Sequence, residues 1–363
     1  MPPISRRCFL HLAAANTLAA GTMLQGCSQS NDSIKNGGHR KQVNVFSWAD
    51  YLPPHAIEDF EQRFGIRVVY DTFASNEALL ARMEAGSSDY DVIVPTGYIV
   101  SKLRALKLLK PIDKQRLPNY KYLMGRFTQM SFDPGGDYTV PYTFGTTGIG
   151  YNAPAFAEKN IPAPNDWDIF WDERLKGRIT LLEDARETIG FAEKRRGNSY
   201  NSVQPQAVAE ALQDLIRQKP LTMCYTSDQI IVYLASGDAL LSLAYSGDAH
   251  QAARWNKDVR YVIPESGTSM WIDNMCIPAH APHEENALLW INYMLEPQVS
   301  AALTDYTYYA TPNHEALKYI AKTNLDDKTL YPPESVLDKC DELKDIGNGI
   351  FLYDKAWTEL KCV

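Results

Sequence analysis

Cysteine is scarce in this 363-residue chain: six thiols, at positions 8, 27, 224, 276, 340 and 362, with no CxxC spacing to suggest a metal or redox centre. Basic charge is short as well, with 36 Lys and Arg against 44 Asp and Glu, a formal net charge of −8. Binding to phosphate backbones needs a basic stripe, so nucleic acid is excluded as a partner. The apolar run Leu12–Leu24 is too short for a comfortable membrane span. No internal repeat or long low-complexity tract interrupts the chain. Enzyme signatures are missing too. The run Gly145-Thr146-Thr147-Gly148-Ile149-Gly150 carries neither a phosphate-binding lysine nor dinucleotide spacing. His280, His283 and Glu284, with Pro282 between the histidines, match neither HExxH nor HxxEH. Both features read as surface segments. No GxSxG elbow and no nucleophile–base pair stands out, so neither an enzyme nor a bound cofactor is expected.

What is present begins with a processing segment. Ser5-Arg6-Arg7-Cys8-Phe9-Leu10 is a twin-arginine pattern ahead of the apolar run, and Leu24-Gln25-Gly26-Cys27 resembles a bacterial lipobox, with Gln25 a less usual choice. Cleavage before Cys27 and lipid attachment to its sulfur are expected, so residues 1–26 form the signal and 27–42, polar and Gly/Ser-containing, a tether. An exported, periplasmic protein anchored only by lipid follows. Loss of Arg6 and Arg7 leaves 34 basic against 44 acidic residues, a balance that suits a cationic ligand. Four cysteines remain, with three possible pairings; Cys340 with Cys362 is preferred because both lie in the C-terminal segment of an exported chain, although free buried thiols fit as well.

The folded body, 45 % apolar and 11 % aromatic, is long enough for about two domains. It opens on Val43–Tyr51, a β-rich run followed by a helix pattern (Ala56, Ile57, Phe60, Phe64) after Pro53-Pro54. Strand at Gly65–Tyr70, helix at Asn76–Ala85, strand at Tyr90–Pro95 and helix at Ile99–Leu109 continue the alternation that marks a parallel sheet faced by helices. Tyr138–Tyr142 and Thr146–Tyr151 read as two strands around a Gly-rich bend, and a second α/β set starts near Tyr151. It includes a Trp167–Trp171 helix, an Arg178–Leu182 strand, an Ala239–Tyr245 strand leading into Ser246-Gly247-Asp248, and a Ser269–Ile277 strand. Two α/β lobes with a cleft between them are expected. Open α/β sheets bind ligands beyond the carboxyl ends of their strands, and the first strand ends there in Trp48, Asp50 and Tyr51. Taken alone, the same stretch fits a core tryptophan and an aspartate capping the next helix.

In order along the chain, FSWADYLPP, ASNEALLARM, YDVIVPTGY, LLEDARE, SGDA, MWIDNMCIPAHA and YATPN resemble the polyamine-binding subunits of ABC-type uptake systems, the spermidine/putrescine-binding proteins. The resemblance implies the type II, two-lobed periplasmic solute-binding fold, a monomer that closes on its ligand in the cleft and delivers it to a membrane permease. It implies lobe one at 43–145 plus 272–317 and lobe two at 146–271 plus 318–363. Position by position it implies ligand contacts at Trp48, Tyr51, Tyr98, Asp184, Glu187, Trp271, Asp273 and Tyr309. Thr96 stands where serine is more usual and Tyr245 where tryptophan is. Leu343 falls where spermidine binders carry glutamine, and Asp248 resembles the putrescine-preferring members.

Those residue types suit a polyamine. Each ammonium exchanges water for carboxylates, while the methylenes need flat apolar walls that aromatic rings supply along with attraction for cations, about 0.5–2 kcal/mol for each good contact. Trp271 and Asp273 are two apart, so on a strand they share a face. Asp184 and Glu187 also fit a capping box, a role compatible with binding; Asp248 fits an ordinary turn, and Tyr98 and Tyr309 fit packing. A cleft retuned to another cationic or zwitterionic solute, and a sensor that transports nothing, are the alternatives.

Overall fold

Val43 and Val45 face one side of the first strand and Asn44 and Phe46 the other, and all four are buried. A strand covered on both faces belongs inside a parallel sheet between helices. The computed structural model describes residues 41–86 and 89–363, within one compact unit. The expected signal and most of the tether, with Cys8 and Cys27, lie outside the described residues. The first sheet is built from β1 (Gln42–Trp48), β2 (Arg67–Phe73) and β3 (Val92–Ile93), with β1 central and parallel to both neighbours. Helices α1 (Ala56–Phe64), α2 (Asn76–Glu84) and α3 (Gly97–Ala105) follow these strands in turn. Phe60 of α1 meets Trp290 edge-on at 5.0 Å, pinning the helix to a late segment of the chain. Asp50 does not cap α1: it sits exposed in a left-handed turn, and the helix starts after His55 without a side-chain cap. After the short β4 (Leu109–Lys110), the chain to residue 137 is held by 3-10 turns.

The Gly-rich segment corrects the expectation of a bend at the surface. Val140–Asn152 is a single buried strand, β5, thirteen residues long. A Cβ at Gly145 would lie 2.4 Å from the Trp271 ring, and one at Gly148 would lie 2.6 Å from the Tyr261 hydroxyl. The glycines make room for rings pressed on the strand; they do not turn it.

The chain continues through α4 (Ala153–Glu158), β6 (Ile179–Leu181), α5 (Ala185–Arg195), α6 (Pro205–Gln218), β7 (Thr222–Tyr225), α7 (Ile230–Ser236), β8 (Leu241–Tyr245) and α8 (Ser246–Trp255). Next come β9 (Val259–Val262), β10 (Ser269–Met275), β11 (Ile277–Pro278), α9 (Glu284–Met294) and α10 (Pro297–Thr307). Short α11 (Lys322–Leu325), α12 (Glu334–Leu337) and β12 (Asp341–Glu342) lead to the terminal α13 (Ile350–Cys362). Trp167–Trp171 is a 3-10 turn, its Trp167 and Phe170 packed on Phe191. The second sheet runs β12-β10-β5-β8-β6-β7, with β9 also on β5. The first half of β5 pairs with β10 and the second half with β8 and β9. Beyond that pairing, isolated bridges from Asp273 of β10 to Thr96, just past β3, and from Cys276, just past β10, to Ile93 of β3 link the two sheets. This is the two-lobed α/β fold, with β10 shared between its sheets.

The preferred disulfide is not formed. Cys224, Cys276, Cys340 and Cys362 are free. The half-buried Cys340 thiol donates to the Val336 carbonyl at 3.4 Å, whereas Cys362 is exposed in the last turn of α13. His283 is not a bare surface residue either: its ring meets the buried Asp91 carboxylate at 3.1 Å, while His280 is exposed.

Candidate ligand-binding site

Strand ends bring the chemistry together. β1 runs out into Tyr51, β3 into Thr96, β6 into Asp184 and β8 into Asp248, while β10 passes through the middle carrying Trp271 and Asp273 on one face. At the centre, Asp273 accepts from Thr96 Oγ1 through Oδ1 and from the Tyr51 hydroxyl through Oδ2, both at 2.6 Å. Thr96 stands at the N-cap of α3 but makes no cap bond; its hydroxyl is used on Asp273. Burial pushes the Asp273 carboxyl up to about 6, against the pull of those two donors.

Two further acidic groups flank this one. Asp248, in the first turn of α8, accepts from the Tyr309 hydroxyl at 3.0 Å, and burial raises it to about 7. Asp184 caps α5, its Oδ1 accepting from Glu187 N at 3.0 Å, while the Tyr245 hydroxyl lies 3.5 Å from its other oxygen. Glu187 points inward and accepts from Ser269 Oγ at 2.7 Å; burial first, then the neighbouring Asp184, pushes it up to about 8. Burial raises Asp184 as well. Trp271 joins the groups, standing edge-on to Tyr309 at 4.9 Å and to Tyr245 at 6.0 Å, with Tyr51 5.6 Å beyond Tyr309. The ring contacts and the absent Cβ of Gly145 and Gly247 fix this wall, since a side chain at either glycine would strike Trp271 or Tyr309.

Among the described residues, none of these four carboxylates forms an ion pair with a lysine or arginine, although all four groups are held at raised values by burial. Arg186 pulls Asp184 and Glu187 down through its charge but forms no ion pair with either among the described residues: its guanidinium donates to the Lys344 carbonyl and to Asn201 Oδ1 and lies over the Tyr98 and Tyr353 rings. Buried carboxylates of this kind are costly until a cation reaches them.

Of the residues expected from sequence, Tyr51, Thr96, Asp184, Glu187, Tyr245, Asp248, Trp271, Asp273 and Tyr309 form one connected set. Tyr98 joins at the edge, its hydroxyl between Asn76 Nδ2 at 3.1 Å and Glu77 Oε1 at 3.3 Å. Trp48 stands apart: half-buried at the end of β1, its ring packs on Phe73 at 4.5 Å and its indole N–H has no partner among the described residues. Leu343 is buried apolar packing. Sequence reasoning missed Thr143, whose hydroxyl lies 2.6 Å from that of Tyr51, together with Ser269, Asn76 and Glu77. Ser269 was within reach of the same period-2 argument that paired Trp271 with Asp273. Thr143 was not, because it faces Asp273 only through the β5–β10 register.

Residues 55–329 match the bacterial extracellular solute-binding protein family. The chain is 32 % identical over 352 residues to the spermidine/putrescine-binding periplasmic protein of Salmonella typhimurium, covering 97 % of each. It superposes on the spermidine/putrescine ABC transporter substrate-binding protein of Streptococcus pneumoniae with a TM-score of 0.79 at 29 % identity, over 89 % of this chain and 99 % of that one. The Tp0655 lipoprotein of Treponema pallidum is similar at a TM-score of 0.80 and 28 % identity, over 88 % and 99 %. With acceptors and rings converging at strand ends and this similarity along nearly its whole length, the chain belongs to the bacterial extracellular solute-binding proteins.

Proposed function

We propose that this protein binds putrescine or spermidine and delivers it to an ABC-type permease, acting as a lipid-anchored monomer outside the cytoplasm and catalysing nothing. One observation carries the reading: Asp184, Glu187, Asp248 and Asp273 are gathered around Trp271, Tyr245, Tyr309 and Tyr51 without an ion-pair partner among the described residues. Protonated amines would supply the missing cations, and the rings would wall the methylenes between them. Lobe one, 43–145 plus 272–317, supplies Tyr51, Thr96, Asp273 and Tyr309; lobe two, 146–271 plus 318–363, supplies Asp184, Glu187, Tyr245, Asp248 and Trp271. A ligand held by both favours closure. Titration calorimetry tests the reading: saturable binding of either amine is expected, and its absence at any ionic strength rejects it.

Arg186 favours a second reading. It is buried, has no carboxylate in ion-pair range among the described residues, and its Nε has no partner. A zwitterionic ligand would place its own carboxylate near that guanidinium. A thermal-shift screen of amines against amino acids separates the two, since only the second reading expects stabilisation by amino acids and not by putrescine or spermidine.

A further inference from the structure

We propose that the turn leaving α8, residues 254–260, is a docking surface for an anionic phospholipid membrane. Trp255 carries the argument. It is 83 % exposed, whereas every other described tryptophan is buried or half-buried. Its indole makes no hydrogen bond, ring contact or cation–π contact among the described residues. Flanking it in sequence are Arg254, Lys257 and Arg260, all exposed and, among the described residues, none in an ion pair, with the Arg254 guanidinium 5.7 Å from the Tyr308 ring centroid. Asp258 is the one acid between His250 and Ile263, in a chain whose formal net charge is −8.

The turn is built to hold this arrangement. Asn256 Oδ1 accepts from Asp258 N at 3.0 Å, while Asn256 Nδ2 donates to the Ala235 carbonyl at 3.1 Å, fastening the end of α8 to the end of α7. Val232 of α7 is exposed on the neighbouring helix. Arg260 folds back, its guanidinium donating to the Lys257 and Val259 carbonyls at 2.5 and 2.8 Å, so its charge stays beside the turn.

A stable protein interface needs on the order of 1,000 Å² of complementary surface, and the large exposed apolar groups near this turn are Trp255 and Val232. The turn does match a lipid headgroup layer, where an amphipathic ring settles at the boundary and Lys and Arg meet lipid phosphates. The acidic remainder of the molecule is repelled by the same surface, so the contact would set one orientation. α8 begins at Ser246 beside the carboxylates and Trp255 ends it, nine residues and roughly 14 Å away along the helix, so the patch is separate from the ligand site.

The test is co-sedimentation of the chain without its signal, residues 27–363 carrying C27S so that no lipid can attach, with vesicles of phosphatidylglycerol and phosphatidylcholine, compared with phosphatidylcholine alone. Wild type is expected to favour the anionic vesicles, with the preference lost at 0.5 M salt. W255A is expected to bind them at least three-fold more weakly, and the R254Q/K257Q/R260Q variant at least ten-fold more weakly. Both variants should keep the thermal shift that spermidine gives wild type, which also shows that they fold. Brominated phosphatidylglycerol should quench wild-type fluorescence more than that of W255A. Equal binding to both vesicle types, or variants that bind like wild type, overturns the proposal. So does self-association in light scattering that W255A abolishes, which assigns the patch to a second copy.

Discussion

At Asp273 burial and hydrogen bonding pull in opposite directions. Two hydroxyls donate to it, yet burial still holds its carboxyl near 6. Asp273→Ala is expected to weaken amine binding by about 2–5 kcal/mol in calorimetry, because it strands a desolvated ammonium. A loss below about 1 kcal/mol would remove Asp273 from the site. The same burial gives opposite pH trends with and without ligand. Glu187, Asp248 and Asp273 titrate near 8, 7 and 6 in the folded chain, against about 4 for ordinary carboxylates. Between about pH 4 and 8 the folded state therefore holds more protons than the unfolded one, so these groups make the ligand-free protein less stable as pH rises. Amine binding needs the ionised carboxylates and strengthens over the upper part of that range. Melting at pH 5.5 and 8 should show a higher Tm at 5.5 without ligand and a larger spermidine-induced shift at 8. Glu187→Gln should flatten the first trend, and equal slopes in wild type and variant would refute this assignment.

Helix α5 is the element where a cap and a proposed ligand contact fall on one residue. Asp184 caps it, as the Asp-x-x-Glu spacing suggests, but Glu187 does not complete the reciprocal half of a capping box; its carboxylate turns to Ser269. The two roles of Asp184 come apart by mutation. Asp184→Asn keeps a good cap and loses the charge, whereas Asp184→Ala loses both. Both variants should bind amine more weakly, but only the alanine should also lose about 1 kcal/mol of stability in urea titration. Equal stability loss in the two would mean that the charge, and not the cap, matters to the helix. Strand β5 carries a related lesson. Its glycines look like a bend in sequence because glycine marks turns, and nothing local distinguishes a glycine that turns the chain from one that yields space to a ring on another strand.

For the whole molecule the expected motion is closure of one lobe on the other about the connecting strands. The radius of gyration from small-angle scattering should fall when spermidine is added to wild type and stay unchanged for Asp273→Ala at the same concentration. No change in wild type under saturating ligand would mean that closure is not coupled to binding. Sequence alone determined the alternation of strands and helices, because apolar periodicity and turn residues are local. The candidate site residues were legible only through the resemblance of several motifs in order along the chain, since each residue alone also fits a cap, a turn or packing. The tertiary structure decided what depends on contacts across long separations. It set Thr143 opposite Asp273 and Ser269 on Glu187, merged two expected strands into β5, left Cys340 and Cys362 apart, and turned Trp48 onto Phe73. Register and packing of this kind are settled only when distant segments compete for the same space, and no window of sequence contains that competition.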